Sequence, residues 1–530
     1  MPISLITHAS PNDLVGKMNE LINRANATAA VANNLTQGPP LLATLGDSIT
    51  AHQCSYGAYS VTMSPVSNVS LLSGTVTNVS VTQAGNCLVY AEGDGVWATA
   101  FTYQGWQMPP TYIFGASAQT VDVIYQAILP FLLATVPLPR VCVVEAGTNN
   151  IVQTDGSQTS AYITQYLGLI YQALLAAGVQ VIAVPIGPRS DTGITGLSAA
   201  QQVTASATAE QVNNWIRDMA LNTPGIFMAD VNMLLSNPAS VLMDIVNNTT
   251  IGTNTNIAPL YRQDYLHPSV GANFLKGYVI AQILKTIQPN TPLYVPNNSR
   301  QYLTSIAGGN QNDNLVANPL FMVTGAPATN GAGAAGITGT GPAASTGWII
   351  GNTDANTAIA CSLVKSVANP NWPGNLLQMV FSGTYAMPAQ QSVSVGQNAT
   401  GSFARVYTTI STANTGLAAG QTIEGYFYVE IPPQALVGMS AISLQLGGSV
   451  SAYNQGMYPN FNQLPITANS PTISYVVKCP GYTLTASDIA GGSIIVRIYL
   501  YYNIAGTVAY ATAPISATIK LGLIRIQLVH

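Results

Sequence analysis

Between residues 40 and 288 the sequence alternates short apolar runs with amphipathic segments, and this alternation constrains the fold more than any other feature. Apolar runs of strand length lie near 40–45, 112–114, 141–146, 180–186 and 226–229. Segments with helical spacing lie near 118–134, 158–177, 199–221 and 270–287. This pattern predicts a parallel sheet with helices on both faces. In such open sheets, functional groups lie at the carboxyl ends of the strands.

The first of these runs ends on Gly46-Asp47-Ser48, which places a serine hydroxyl at the carboxyl edge of the sheet. A serine nucleophile needs an imidazole to take its proton and a carboxylate to orient that imidazole. Among the four histidines we single out His267, because Asp264 precedes it at short spacing. In isolation the serine turn could be a plain helix N-cap, and the Asp264–His267 segment could be a surface turn.

Two other strand ends carry groups that could bind an oxyanion. Gly115 follows the run at 112–114, and a glycine at such a turn can offer its backbone N–H at close range. Asn149 follows the run at 141–146, and its side-chain amide is a hydrogen-bond donor. The alternative for Asn149 and Asn150 is an ordinary turn, because asparagine tolerates turn backbones.

The order Gly-Asp-Ser, Gly-x-Ser, Gly-x-Asn and Asp-x-x-His, over roughly residues 40–288, resembles the SGNH (GDSL-like) hydrolase superfamily. The resemblance implies a flavodoxin-like three-layer α/β/α domain. It implies a carboxylic ester hydrolase with the catalytic triad Ser48, Asp264 and His267. It further implies an oxyanion hole formed by Ser48, Gly115 and Asn149, and a reaction that uses no metal or organic cofactor. Asn150 stands where many members of the superfamily carry aspartate.

The chain divides into four segments. Residues 1–39 contain a predicted helix over 11–32 and are interpreted as a helical attachment or oligomerisation segment. Residues 40–288 are interpreted as the hydrolase domain, with a β-rich insertion at about 55–110. Residues 289–313 carry Pro, Asn and Gly and read as a linker. Residues 314–530 contain short alternating strands, which predict a C-terminal β-sandwich. Its opening Asn-Leu-x-x-Asn-Pro-x-Phe and later Gly-Trp resemble jelly-roll carbohydrate-binding modules; the alternative is a jelly roll that makes only assembly contacts.

The composition excludes several classes of function. Charged residues make up 6% of the chain, against a usual quarter, whereas apolar residues make up 48%. The remaining polarity comes from amides and hydroxyls, which suit sugar binding and close-packed assemblies. A net charge of −4 with no basic run gives no case for nucleic acid. We find no apolar run long enough for membrane insertion and no secretory signal pattern.

These features together lead to an expected substrate and context. The SGNH resemblance and the following sandwich favour removal of O-acyl groups, most simply O-acetyl, from a bacterial surface polysaccharide. The uncharged surface, N-terminal helix and β-rich tail resemble bacteriophage tail fibres or spikes. That resemblance implies a virion component, made in the host cytoplasm, that forms a homotrimer and contacts other virion proteins. The alternatives are a non-enzymatic glycan-binding adhesin or virion decoration protein, and a free bacterial carbohydrate esterase.

Some side chains in and near the insertion could contact a sugar. Tyr56, Trp97, Trp106 and Tyr112 are candidates for stacking on sugar rings, although aromatic residues in such a segment also build cores. Arg189, after the run at 180–186, could bind an anionic sugar or lie solvated in its loop.

Overall fold

The computed structural model describes residues 40–51, 55–57, 60–63, 79–82, 86–89, 93–102, 105–236, 242, 266–288, 314–370, 374–386, 392–393, 399–400, 403–448, 453–458, 464, 466–502 and 512–529. The predicted helix over 11–32, the predicted linker at 289–313 and Asp264 lie outside the described residues.

The first half of the chain contains strands and helices in alternation. Its strands are β1 (Leu42–Gly46), β2 (Ser55–Gly57), β3 (Ser60–Met63), β4 (Val79–Thr82), β5 (Asn86–Val89), β6 (Ile113–Gly115), β7 (Val141–Glu145), β8 (Gln180–Ala183) and β9 (Ile226–Met228). Its helices are α1 (Ser48–Ala51), α2 (Asp94–Phe101), α3 (Val121–Val123), α4 (Leu129–Leu133), α5 (Ser160–Ala176), α6 (Thr192–Thr195), α7 (Ala199–Asn222), α8 (Asn232–Leu235) and α9 (Val270–Ile287). A π-helical turn, Ile124–Ile128, joins α3 to α4.

Five strands form a parallel sheet in the order β6-β1-β7-β8-β9, the strand order of flavodoxin-like folds. Successive residues of β1 and β7 point to opposite faces, and every one of them is buried. One face packs against α3, α4, α5 and α7, and the other against α2, α8 and α9. Burial on both faces is why these strands are apolar throughout rather than alternating. The predicted three-layer α/β/α fold is confirmed.

The second half is rich in strands. These are β10 (Thr324–Gly325), β11 (Ala328–Asn330), β12 (Ile337–Gly339), β13 (Gly341–Pro342), β14 (Ile349–Asn352), β15 (Thr357–Val364), β16 (Leu376–Ala386), β17 (Ser392–Val393), β18 (Ala399–Thr400), β19 (Phe403–Ser411), β20 (Thr422–Ile431), β21 (Met439–Gly448), β22 (Tyr453–Tyr458), β23 (Ile473–Thr483), β24 (Ser493–Tyr502), β25 (Thr512–Pro514) and β26 (Ala517–Val529). Two short helices, α10 (Thr412–Thr415) and α11 (Ala486–Ala490), interrupt them.

Most of these strands belong to two large sheets that pack around an extensive apolar core, as predicted for a β-sandwich. One sheet has the order β12-β15-β16-β26-β20-β23, with β25 paired to β16. The other has the order β11-β14-β19-β24-β21-β22-β5-β2. Its last two strands come from the insertion of the α/β domain, and β5 pairs in parallel with β22 from Asn86↔Asn454 to Val89↔Met457. The insertion therefore extends a sheet of the sandwich.

The insertion also contains α2, a helix that the β-rich pattern of this region did not predict. Every residue of α2 is buried. The Trp97 ring meets Phe274 of α9 at 4.9 Å and Tyr475 of β23 at 5.4 Å, both edge to face. The α2 helix thus packs between the α/β domain and the sandwich: Val96, Trp97, Ala100 and Phe101 belong to the sandwich core, and Ala98 to the core under the parallel sheet. Within the described parts of the chain, the helices are too short or too polar to cross a bilayer.

Removing the Trp97 ring should destabilise both halves together. Trp97→Ala leaves a cavity at this junction, and we expect a loss of about 3–5 kcal/mol in the free energy of unfolding. Phe131→Ala is the control, because the Phe131 side chain is 70% exposed. Calorimetry and urea unfolding would measure both variants. A Trp97→Ala loss no larger than the control's would contradict this packing role.

Candidate active site

The turn that carries the candidate nucleophile Ser48, called the nucleophile turn below, is built by the end of β1 and the first turn of α1. Asp47 caps this short helix: its Oδ1 accepts the Ile49 N–H at 3.0 Å, and its carbonyl accepts the Ala51 N–H at 2.9 Å. Ser48 follows and is buried. Its Oγ lies 2.8 Å from Nε2 of His267. Asp47 therefore forms the helix cap, and Ser48 in the same turn makes the predicted contact with His267.

His267 lies three residues before the start of α9 and is half-buried. Pro268 follows it, and Ser269 caps α9 by accepting the Ala272 N–H at 3.4 Å. When Nε2 accepts a hydrogen bond from the Ser48 hydroxyl, the neutral ring carries its proton on Nδ1. In the predicted triad that Nδ1–H faces Asp264, which lies outside the described residues.

Gly115 lies beside the nucleophile turn because β6 pairs with β1. The pairing aligns Gly115 with Gly46, and the Ala116 N–H donates to the Gly46 carbonyl at 3.2 Å. A Cβ at Gly115 would lie 2.2 Å from the Ala51 backbone nitrogen. Only glycine fits against α1 here, so packing alone requires this residue, whatever its backbone N–H does in catalysis.

The turn after β7 carries both asparagines. The Asn149 Nδ2 donates to the Gln119 carbonyl at 2.9 Å, which leaves one of its two amide protons for another acceptor. The Asn150 side chain is buried; its Oδ1 accepts the Val121 N–H at 2.9 Å and its Nδ2 donates to the Ser157 carbonyl at 3.3 Å. Asn150 thus ties the start of α3 to the Asn149 turn.

Arg189 is neither solvated nor free to meet a sugar. The side chain is 3% exposed. Its Nε and Nη2 donate to the two Asp191 carboxylate oxygens at 2.6 Å each, and its Nη1 donates to the Thr148 carbonyl at 2.6 Å. The guanidinium therefore holds the peptide directly before Asn149. The sequence interpretation of Arg189 was wrong in both forms, because Asp191 and the Thr148 carbonyl satisfy the guanidinium inside the protein.

The aromatic candidates for sugar stacking are mostly core residues. Trp97 and Trp106 are buried, and Tyr112 is nearly so, with its hydroxyl donating to the Pro137 carbonyl at 2.6 Å. Tyr56 lies in β2, and the structure does not describe its side chain. For the three described rings the core interpretation is confirmed.

Asp47, which directly precedes Ser48, carries a carboxyl group that is completely buried. Burial raises its pKa from 3.8 to about 6, although the Ile49 hydrogen bond and the nearby His267 act in the opposite direction. Among the described residues, its Oδ2 has no hydrogen-bond partner.

A second group of buried charges lies close by and was missed from the sequence. Lys276 of α9 meets Glu145, the last residue of β7, and Asp94, the first residue of α2. Burial raises the pKa of Glu145, and the negative charge of Asp94 adds to this, while Lys276 opposes it. A lysine in the mostly apolar first half of a helix, and an acid at the end of a buried strand, were the available signals. Within the described parts of the chain, no group of three or more His, Cys, Asp or Glu is arranged to hold a metal ion.

Comparison with protein-family models finds no match, and comparison with curated proteins finds none either. Among solved structures, the chain is similar to a GDSL-like lipase from Bacteroides thetaiotaomicron, with 17% identity over 50% of this chain and 97% of that one, at a TM-score of 0.26. It is similar to the psychrotrophic esterase EstA from Pseudoalteromonas sp., with 14% identity over 47% and 97%, at a TM-score of 0.27. It is also similar to a tail fiber protein from an E. coli phage, with 13% identity over 93% and 48%, at a TM-score of 0.29. With scores this low, the fold assignment rests on strand order and pairing.

The Asp47 carboxyl predicts a pH-dependent difference in stability. The pKa of Asp47 is about 6 in the folded protein and 3.8 ordinarily. The protonated carboxyl therefore contributes its full share to the free energy of unfolding below pH 3.8, and this share is lost as the pH rises through about 6. Asp47→Asn keeps an acceptor for the Ile49 N–H but cannot ionise. From pH 4 to pH 8 we expect the free energy of unfolding of the variant to increase relative to that of the wild type by on the order of 2 kcal/mol.

Urea unfolding of both proteins at the two pH values would measure this gain. Asp218→Asn, on the surface of α7, is the control. An equal Asp47→Asn difference at both pH values would show that the buried carboxyl does not titrate in this range.

Proposed function

We propose that the protein is a serine ester hydrolase with Ser48 as nucleophile and His267 as general base. The observation that carries this proposal is the 2.8 Å contact between Ser48 Oγ and His267 Nε2, at the carboxyl edge of a flavodoxin-like sheet. The two residues are far apart in sequence, and a serine–imidazole contact at this distance is what removal of the hydroxyl proton requires.

The reaction follows from this contact. Ser48 Oγ attacks the ester carbonyl carbon while His267 Nε2 takes the hydroxyl proton. The tetrahedral intermediate collapses, the C–O bond to the alcohol breaks, and the imidazolium returns the proton to the leaving oxygen. Water then attacks the acyl-serine with the same general base and releases the acid. In this proposal Asp264 holds the imidazole orientation and stabilises the cation.

The developing oxyanion needs donors at the same edge. The proposed donors are the backbone N–H groups of Ser48 and Gly115 and the remaining amide proton of Asn149. The alignment of Gly115 with Gly46, and the position of Asn149 four residues after the end of β7, support this assignment. Loss of one such donor typically lowers turnover by about 10²–10³.

The proposed substrate is an O-acyl group, most simply O-acetyl, on a bacterial surface polysaccharide. Support comes from the chain's low charge and its amide- and hydroxyl-rich composition, and from the β-sandwich that packs directly on the α/β domain. We extend the proposal to a virion fibre or spike component that forms a homotrimer and contacts other virion proteins.

A non-enzymatic glycan-binding adhesin is the second candidate. Two of the proposed oxyanion residues also have structural roles. Asn149 Nδ2 donates to the Gln119 carbonyl, and Gly115 fits closely against α1. Their presence can therefore be explained without catalysis, which favours this candidate. Such a protein would retain the fold without turning over an ester.

Hydrolysis of p-nitrophenyl acetate tests the catalytic proposal. We expect Ser48→Ala and His267→Gln each to lower kcat by at least ~10³-fold, because each removes a member of a cooperating pair. A fluorophosphonate should label the wild type once, at Ser48, as measured by intact mass. Ser160→Ala, at a partly exposed serine that begins α5, is the control and should keep wild-type activity.

Acetate release from O-acetylated and chemically de-acetylated capsular polysaccharide then tests the substrate. A wild type that neither hydrolyses esters nor reacts with the phosphonate, yet binds the polysaccharide, would establish the adhesin instead. Hydrolysis that persists in Ser48→Ala would overturn the assignment of the nucleophile.

A further inference from the structure

A buried ionic cluster lies behind the proposed site and takes no part in its chemistry. The Lys276 Nζ donates to both Glu145 carboxylate oxygens, at 2.7 and 2.5 Å, and lies 3.5 Å from Asp94 Oδ2. Lys276 and Asp94 are each 1% exposed and Glu145 is 6% exposed. The cluster therefore consists of two acids that face one ammonium group in a region closed to bulk solvent.

Each member of the cluster belongs to a different element, and two of these elements lead directly to the site. Lys276 lies in the second turn of α9, the helix that begins three residues after His267. Glu145 ends β7, so it directly precedes the turn that carries Asn149. Asp94 begins α2, the helix that joins the α/β domain to the sandwich. The ammonium group thus connects the histidine side of the site to the asparagine side.

The helices that carry this cluster are in very close contact. Gly277, next to Lys276, faces α2, and a Cβ there would lie 2.3 Å from the Trp97 Cβ and 2.7 Å from the Asp94 carbonyl oxygen. The Asp94 Oδ1 accepts the Gly95 N–H at 2.8 Å, which fixes the carboxylate at the start of α2. Backbones this close leave little room for α9 to shift against α2.

The cluster also borders the two catalytic side chains through their neighbours. A cavity of about 10 Å³, room for a single water, is lined by Lys276 and Glu145 together with Ile49, which follows the nucleophile, and Leu266 and Pro268, which flank the histidine. The ion pair and the sequence neighbours of Ser48 and His267 therefore line the same small cavity.

Stability alone does not account for a lysine here. Well-packed apolar side chains in place of a buried ion pair are often equally stable or more so, whereas an ion pair holds its two elements in one relative position. An apolar side chain at position 276 would leave α9 held to α2 by packing, with no ionic contact to set its position against β7.

We propose that Lys276 is a positioning residue: through Glu145 and Asp94 it fixes α9 so that His267 Nε2 stays within hydrogen-bond distance of Ser48 Oγ. This inference rests on the proposed esterase function. It assigns no contact with substrate to Lys276 and predicts an effect on turnover rather than on substrate binding.

Steady-state hydrolysis of p-nitrophenyl acetate by Lys276→Met provides the test, with kcat expressed per folded molecule. We expect kcat to fall by about 10- to 100-fold, as for a misplacement of the general base by a fraction of an ångström to about 1 Å, while KM changes less than about two-fold. The rate of fluorophosphonate labelling at Ser48 should fall in parallel. Lys285→Met, in the last turn of the same helix, is the control and should match wild type.

The double variant Lys276→Met with Glu145→Gln separates positioning from stability. It removes the unpaired Glu145 charge and leaves only the Asp94 carboxylate, whose Oδ1 still accepts the Gly95 N–H. Its melting temperature should therefore rise above that of the single variant, and it carries the test alone if the single variant does not fold. A low kcat in this stable double variant supports the proposal, and a wild-type kcat in it overturns the proposal. A wild type inactive in both hydrolysis and labelling would instead overturn the esterase function, and this inference with it.

Discussion

The register of three parallel strands is the constraint on which the rest of the molecule depends. Gly46 at the end of β1 is paired with Gly115 of β6 on one side and with Glu145 of β7 on the other. All three strands therefore end at the same level and on the same edge of the sheet. Backbone hydrogen bonding alone brings the proposed nucleophile, the candidate backbone donor and the asparagine turn to one edge of the sheet.

Buried charged side chains then fix the positions of the loops and helices at this edge of the sheet. The chain carries few charged residues, yet several of them lie in the protein interior at this edge, namely Asp47, Glu145, Arg189 and Lys276. Arg189 holds the peptide before Asn149, and Lys276 joins α9 to β7. In a low-dielectric interior such contacts are strong and directional, so they can define positions that apolar packing leaves free.

The sequence predicted well those features that depend on local pattern. The bounds of α9 agree with its apolar spacing, since Ser269 provides a clear cap. The α2 helix was missed because its residues, DGVWATAF, are mostly poor helix formers, and burial on all sides removes the polar stripe that marks a surface helix. The Lys276–Glu145 contact joins residues 131 positions apart, and no single-sequence pattern encodes such a pairing.

The parallel pairing of β5 with β22 has a consequence for biosynthesis. A strand made early, at Asn86–Val89, finds its partner only when Tyr453–Tyr458 has left the ribosome. Contacts of such long range are slow to form, and an unpaired strand edge is prone to association with other chains. The sheet that β5 joins is therefore completed only by the distant end of the same chain, and we expect a prematurely terminated chain to need chaperones that a full-length chain does not.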